Sequence, residues 1–236
     1  MERLISLFVI FSTLIIVARI DERRNSINLP PISFDSGESI TIIPPENSDN
    51  NDQSIEHEVV LTKNVTLYLN PSVQANNMYI NGLGTEAEHM NDIANLMYDE
   101  LIKYSFINTL CNCSSKGLSL SQSVQESNYN NVDLHLSLHS NAGGGKGIET
   151  YGKGDYKFAR AMYDGFNKLG DFSKRGVKDG SGLYEIKYVK ATHVTLMELL
   201  FHDNLEEALF IINNKVTIAQ QLVTTLIDFV IDNYSK

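Results

Sequence analysis

The sequence predicts an α/β domain with a largely parallel sheet, and three observations carry that expectation. From Val59 onward, short β-like runs alternate with helical patterns. DLHLSLH at 133–139 sets Leu134, Leu136 and Leu138 against His135, Ser137 and His139, as a strand with two unlike faces does. Residues 85–104 place Met90, Ile93, Ala94, Met97 and Leu101 at helical spacing.

VTLYL at 65–69 reads as the first strand. The helix that follows starts at Thr85, with Glu88 three residues on as the second half of a capping box. After the 133–139 strand come a strand at 148–152, a helix over about 155–169 and a strand near 183–188. HVTLMELLF at 193–201 is the other strong strand, and helices over about 205–213 and 216–234 close the domain, which is assigned to 59–236.

Residues 1–20 read as a signal peptide or signal anchor. LISLFVIFSTLIIVA at 4–18 lies between Arg3 and Arg19; it is shorter than the roughly 20 residues of a spanning helix but matches the apolar core of an export signal. The expected location is extracytoplasmic, secreted or held at the membrane by residues 4–18. Residues 21–58 hold four of the five prolines among Asn, Ser, Asp and Glu, the composition of a disordered linker. The net charge of −10 and pI near 5.0 exclude a surface built to neutralise nucleic-acid phosphates and disfavour adhesion to anionic lipid. Contact with a membrane is therefore expected only through the N-terminal segment. Cys111 and Cys113, one residue apart, are too few to cage a metal and are read as structurally minor.

Ligands of open α/β sheets bind beyond the carboxyl ends of the strands. That rule selects Asn70, Ser72 and Gln74 after the first strand, His139, Ser140 and Asn141 at the end of the 133–139 strand, Glu86 in the first helical turn, and Glu198, an acid inside an apolar run. A zinc hydrolase needs about three protein ligands, an open position for water and a carboxylate to take that water's proton. Glu86 and His139 suit the first task and Glu198 the second. Each also has a plain structural reading: Glu86 against the helix dipole, His139 as an exposed strand end, Glu198 as half of an ion pair.

Three ordered blocks add a resemblance. LHLSLHSNAGGGKGIETY, KRGVKDGSGLYEIKYVKATHVTLMELLFHDN and GTEAEHMNDIA resemble the motifs of the zinc N-acetylmuramoyl-L-alanine amidases of the type 3 family, over about residues 65–232. The resemblance implies a single twisted, mostly parallel mixed sheet with helices on both faces. It implies peptidoglycan as partner and one Zn2+ ion as cofactor, with Glu86 and His139 as ligands and Glu198 as catalytic acid/base, cutting the amide bond between N-acetylmuramic acid and L-alanine.

One departure stands out. The family's first block reads Asp-Pro-Gly-His-Gly, whereas this chain has Asn70-Pro71-Ser72-Val73-Gln74. The third ligand position is open to Gln74, to His89 one turn beyond Glu86, to His202, or to water. A degenerate, non-catalytic peptidoglycan-binding module is the rival reading, and a peptidase acting within the stem peptide is a third. Arg175 and Lys178 are candidates for contact with the acidic stem peptide. The Gly143–Gly147 stretch leads into a strand, so it reads as a flexible loop bordering the substrate groove rather than a phosphate loop. Ser137 and Ser140 lack the surroundings of a nucleophile elbow.

Overall fold

The computed structural model describes residues 32–34, 39–42, 57–113 and 116–235. Residues 4–18 and most of 21–58 lie outside them. Among the described residues no helix is long and apolar enough to cross a membrane.

The described residues divide into two units. The first contains an antiparallel sheet of β1 (Ile32–Phe34), β2 (Ser39–Ile42) and β3 (His57–Val60), in that order. These short strands fall within and just past the stretch whose composition reads as a linker. The second unit, Lys63–Tyr234, carries the large sheet.

That sheet has six strands: β4 (Val65–Pro71), β5 (Ile107–Cys111), β6 (Leu134–Asn141), β7 (Ile148–Gly152), β8 (Lys174–Asp179) and β9 (His193–Phe201), in the spatial order β5-β4-β6-β9-β7-β8. All neighbours are parallel except β7 and β9. The expected mixed, mostly parallel sheet is thus the observed one. Six helices flank it among the described residues: α1 (Glu86–Leu101), α2 (Leu120–Tyr129), α3 (Lys157–Asn167), α4 (Tyr184–Tyr188), α5 (Leu205–Asn213) and α6 (Lys215–Tyr234).

Strand periodicity assigns the two faces different work. Leu67, Leu69, Leu134, Leu136, Leu138, Met197 and Leu199 are fully buried. They form the apolar face, which α1 covers on β4 to β6 and α3 covers on β7 to β9, while α6 packs over both helices. Tyr68, Val194 and Leu196 occupy the other face beneath Val124 of α2 and Ile186 of α4. His135, Ser137 and His139 share that second face, so the sheet keeps its polar chemistry on one side.

Four segments of the large unit differ from the sequence reading. The 183–188 stretch is helical, not extended. Its buried residues, Glu185, Ile186 and the following Val189, recur at helical spacing, whereas alternation pairs Ile186 with Tyr184 and Tyr188, both exposed. β8 escapes prediction because KRGVKD is charged and glycine-bearing, a composition suited to an edge strand. β5 and α2 are also additional elements. The structure joins Cys111 and Cys113 in a disulfide around Asn112, so the pair has a structural part to play.

Candidate functional site

The site is built at the carboxyl ends of β4, β6 and β9. In α1, the Thr85 hydroxyl accepts from the Glu88 amide at 3.2 Å and the Glu88 carboxylate accepts from the Thr85 amide at 2.8 Å. This capping box fixes the first turn, and Glu86 sits in it with 1% of its surface exposed. β6 and β9 run in step until His139 pairs with Glu198; one residue is then skipped, and Asn141 pairs with Phe201. A bulge at this point re-aims the side chains that follow. β7, running the other way, places Glu149 opposite the same Glu198.

His139 is the hub. Its Nδ1 lies 2.8 Å from Glu86 Oε1 and 3.3 Å from Gln74 Nε2, and its Nε2 lies 3.5 Å from Glu185 Oε2. Asn77 Nδ2 donates to Glu86 Oε2 and to Gln74 Oε1, both at 2.8 Å. Burial disfavours the imidazolium, but the two glutamates outweigh it, and the His139 pKa is pushed up to about 10. Burial likewise opposes ionisation of Glu86, yet the hydrogen bonds from His139, Asn77 and Ser72 hold it below the usual carboxylate range.

Glu198 is the opposite case. It is half-buried, and its Oε2 is enclosed with no hydrogen-bond partner. Desolvation, opposed by His139 but reinforced by the charges of Glu86, Glu149 and Glu185, pushes its pKa up to about 7. A cleft of 340 Å³ opens over this group. His139, Glu185, Glu198, Gln74 and Asn70 supply its polar part, and Val73, Leu120, Leu183 and Tyr184 a largely exposed apolar rim.

Gln74, Glu86 and His139 are therefore brought together, with Glu198 in the same cleft. His89 and His202 are not. His89 Nε2 faces the Leu83 carbonyl at 2.6 Å and its ring packs 4.3 Å from Tyr79. His202 Nδ1 meets the Ser140 carbonyl at 2.9 Å, and its ring stacks on Tyr79 at 5.1 Å. Arg175 and Lys178 bind Glu149 instead of standing free. The glycine loop does not line the cleft. The amides of Gly143 and Gly144 donate to Asp203 Oδ2 at 2.7 and 2.8 Å, and that of Gly147 to Glu207 at 2.7 Å, so the loop is tied down by the chain's own carboxylates.

Glu185 was missing from the sequence reading, and its misread helix explains why. As a strand, 183–188 turns Glu185 outward with Lys187; as a helix, it turns Glu185 inward with Ile186.

Among the described residues no group of three His, Cys, Asp or Glu side chains is gathered as a metal cage. The donors around His139 Nδ1 nonetheless fit a zinc ion. Bond lengths of 2.0–2.1 Å in a tetrahedron separate neighbouring donors by about 3.3 Å. Gln74 and Glu86 approach Nδ1 at 3.3 and 2.8 Å, and turning the Gln74 amide, with loss of the bond from Asn77, presents oxygen in place of nitrogen.

Comparison with known proteins bears on the family and the fold. The family model described as N-acetylmuramoyl-L-alanine amidase, Amidase_3, matches residues 72–228. No curated protein matches the chain. Among solved structures, an N-acetylmuramoyl-L-alanine amidase from Clostridium difficile 630 superposes with a TM-score of 0.64 at 17% identity, covering 72% of this chain and 97% of its own. The catalytic domain of CwlV from Bacillus (Paenibacillus) polymyxa var. colistinus gives 0.64 at 18%, covering 70% and 98%. AmiC2 of Nostoc punctiforme gives 0.63 at 13%, covering 72% and 98%.

Proposed function

Because the chain belongs to the N-acetylmuramoyl-L-alanine amidase family Amidase_3, we propose that it hydrolyses the amide bond between N-acetylmuramic acid and L-alanine in peptidoglycan with the help of one zinc ion. Glu86 and His139 would hold the ion, with Gln74 at the third position. When bound, zinc supplies a Lewis acid for the amide carbonyl and lowers the pKa of water. Glu198 accepts the proton of the attacking water and delivers it to the leaving alanine nitrogen.

The observation that carries this reading is Glu198 itself, a carboxylate that lines the cleft with His139 while its enclosed Oε2 has no hydrogen-bond partner. A carboxylate that only stabilised the fold would have its lone pairs satisfied. The apolar rim of Val73, Leu120, Leu183 and Tyr184 offers a wall for the glycan and stem peptide to lie against. Residues 4–18 serve to export the chain, so that the site meets the cell wall.

Incubating the protein with purified sacculi tests the reading. New L-alanine amino termini should appear, and a chelator or Glu198→Ala should abolish them. Full activity in Glu198→Ala overturns the mechanism, and fragments lacking a new L-alanine terminus overturn the bond assignment.

A further inference from the structure

The proposed chemistry leaves Glu185 without a task, although it is a carboxylate only 5% exposed on a five-residue helix. Its Oε1 is fully engaged, accepting from Ser137 Oγ at 2.7 Å and from Asn70 Nδ2. Asn70 is held in turn by Asn112 Nδ2 at 3.1 Å. Asn112 is fixed by the Leu118 amide and carbonyl at 2.9 and 3.1 Å and stands between the two disulfide-bonded cysteines. The whole chain of contacts presents one free oxygen, Oε2, toward His139 Nε2.

We propose that Glu185 is a positioning residue that keeps a proton on His139 Nε2, so that the lone pair of Nδ1 is the one offered to the metal. This rests on the zinc reading above. A neutral imidazole carries one proton, and the nitrogen that keeps it is set by the group the other face meets. With Glu86 committed to the ion, the anionic oxygen of Glu185, 3.5 Å from Nε2, accepts only, so the one proton of the neutral ring stays there. Nδ1, between Glu86 and Gln74, is then free to ligate.

An isosteric replacement reverses this. In Glu185→Gln, the donors Ser137 and Asn70 claim the amide oxygen, and the amide NH2 group is turned toward Nε2. Nε2 then becomes the acceptor, and the proton moves to Nδ1, the ligating nitrogen. Glu185→Ala does less harm, because cleft water can accept from Nε2. The expected order of zinc affinity is wild type, then Ala, then Gln, with Gln weaker than wild type by roughly 10- to 100-fold. A side chain needed only for folding gives the other order, since Gln preserves shape and Ala does not.

The test is chelator competition for zinc with full-length wild type, Glu185→Gln and Glu185→Ala, each checked by thermal melting. Imidazole nitrogen NMR accompanies it. Zinc-loaded wild type should show His139 protonated at Nε2, and Glu185→Gln should show it protonated at Nδ1. Wild type that binds zinc while Glu185→Gln binds equally well, or better than Glu185→Ala, overturns the positioning role alone. Wild type that binds no zinc overturns the zinc reading and the proposal with it.

Discussion

Two glutamates face each other across β7 and β9, and they are treated in opposite ways. Glu149, 2% exposed, receives Asn141 Nδ2 and Tyr151 OH on Oε1, each at 2.9 Å, and Arg175 Nε and Lys178 Nζ on Oε2. Burial raises the cost of its charge, but the bonds from Lys178, Arg175 and Tyr151 more than offset it and hold the carboxyl below its usual range. Glu198, on the neighbouring strand, keeps a bare oxygen and rises to about 7. The pair teaches that depth alone does not mark a functional carboxylate. What marks Glu198 is burial without partners, beside an open cleft, one strand away from a carboxylate that has all the donors it can use.

The contrast breaks first at Glu198. Glu198→Gln should lower the rate of L-alanine release from sacculi by roughly 10²- to 10⁴-fold, with a melting temperature equal to or above wild type, since it removes an unpaired charge. A stability loss matching the rate loss would make Glu198 a second Glu149.

A buried base extends the contrast. His135 is fully buried, bonded to Ser127 at 2.9 Å, and burial pushes its pKa down to about 4. The unfolded chain binds the proton near the ordinary value of about 6.5. Its stabilisation is therefore complete above about pH 6.5 and is lost as pH falls toward about 4, to the extent of about 3 kcal/mol. Urea titrations across this window should show a shallower pH dependence in His135→Asn than in wild type.

Glu149→Gln should behave as the inverse of Glu198→Gln. Arg175 and Lys178 are about a third exposed, 36% and 38%, so both can turn to water and the loss should be about 1–3 kcal/mol. Zinc affinity should stay unchanged, as measured by chelator competition; a large fall would tie Glu149 to the metal position. Smallest of all, Asp203→Asn should weaken the grip on the Gly143 and Gly144 amides by about 1 kcal/mol, visible as faster amide exchange of that loop at constant activity.

Residues whose chemistry contradicts their immediate neighbours were legible in the sequence. Glu198 interrupts an apolar run, His139 ends an alternating strand, and Glu86 follows a capping residue, so each shows against its local pattern. Glu185 does not, because its orientation depends on whether 183–188 is extended or helical, and five residues bounded by turns support either period. The partners of Arg175 and Lys178 were equally hidden. Both lie on an edge strand whose composition reads as solvated surface, and the carboxylate they meet is 26 and 29 residues away in sequence. His89 looked available because helical spacing puts it near Glu86, but the carbonyl it meets comes from the turn before the helix. Pairing seen only in the folded chain, not local propensity, made these choices.

The reversed direction of β7 has a practical side. Because it starts beside Glu198 and ends with Gly152 opposite Thr195, near the beginning of β9, the turn that follows emerges at the end of the sheet remote from the cleft. Gly154 and Asp155 are exposed there. A fluorophore or affinity peptide grafted at that turn would ride on the enzyme with the cleft mouth left clear, giving a handle for watching the protein on whole cell walls.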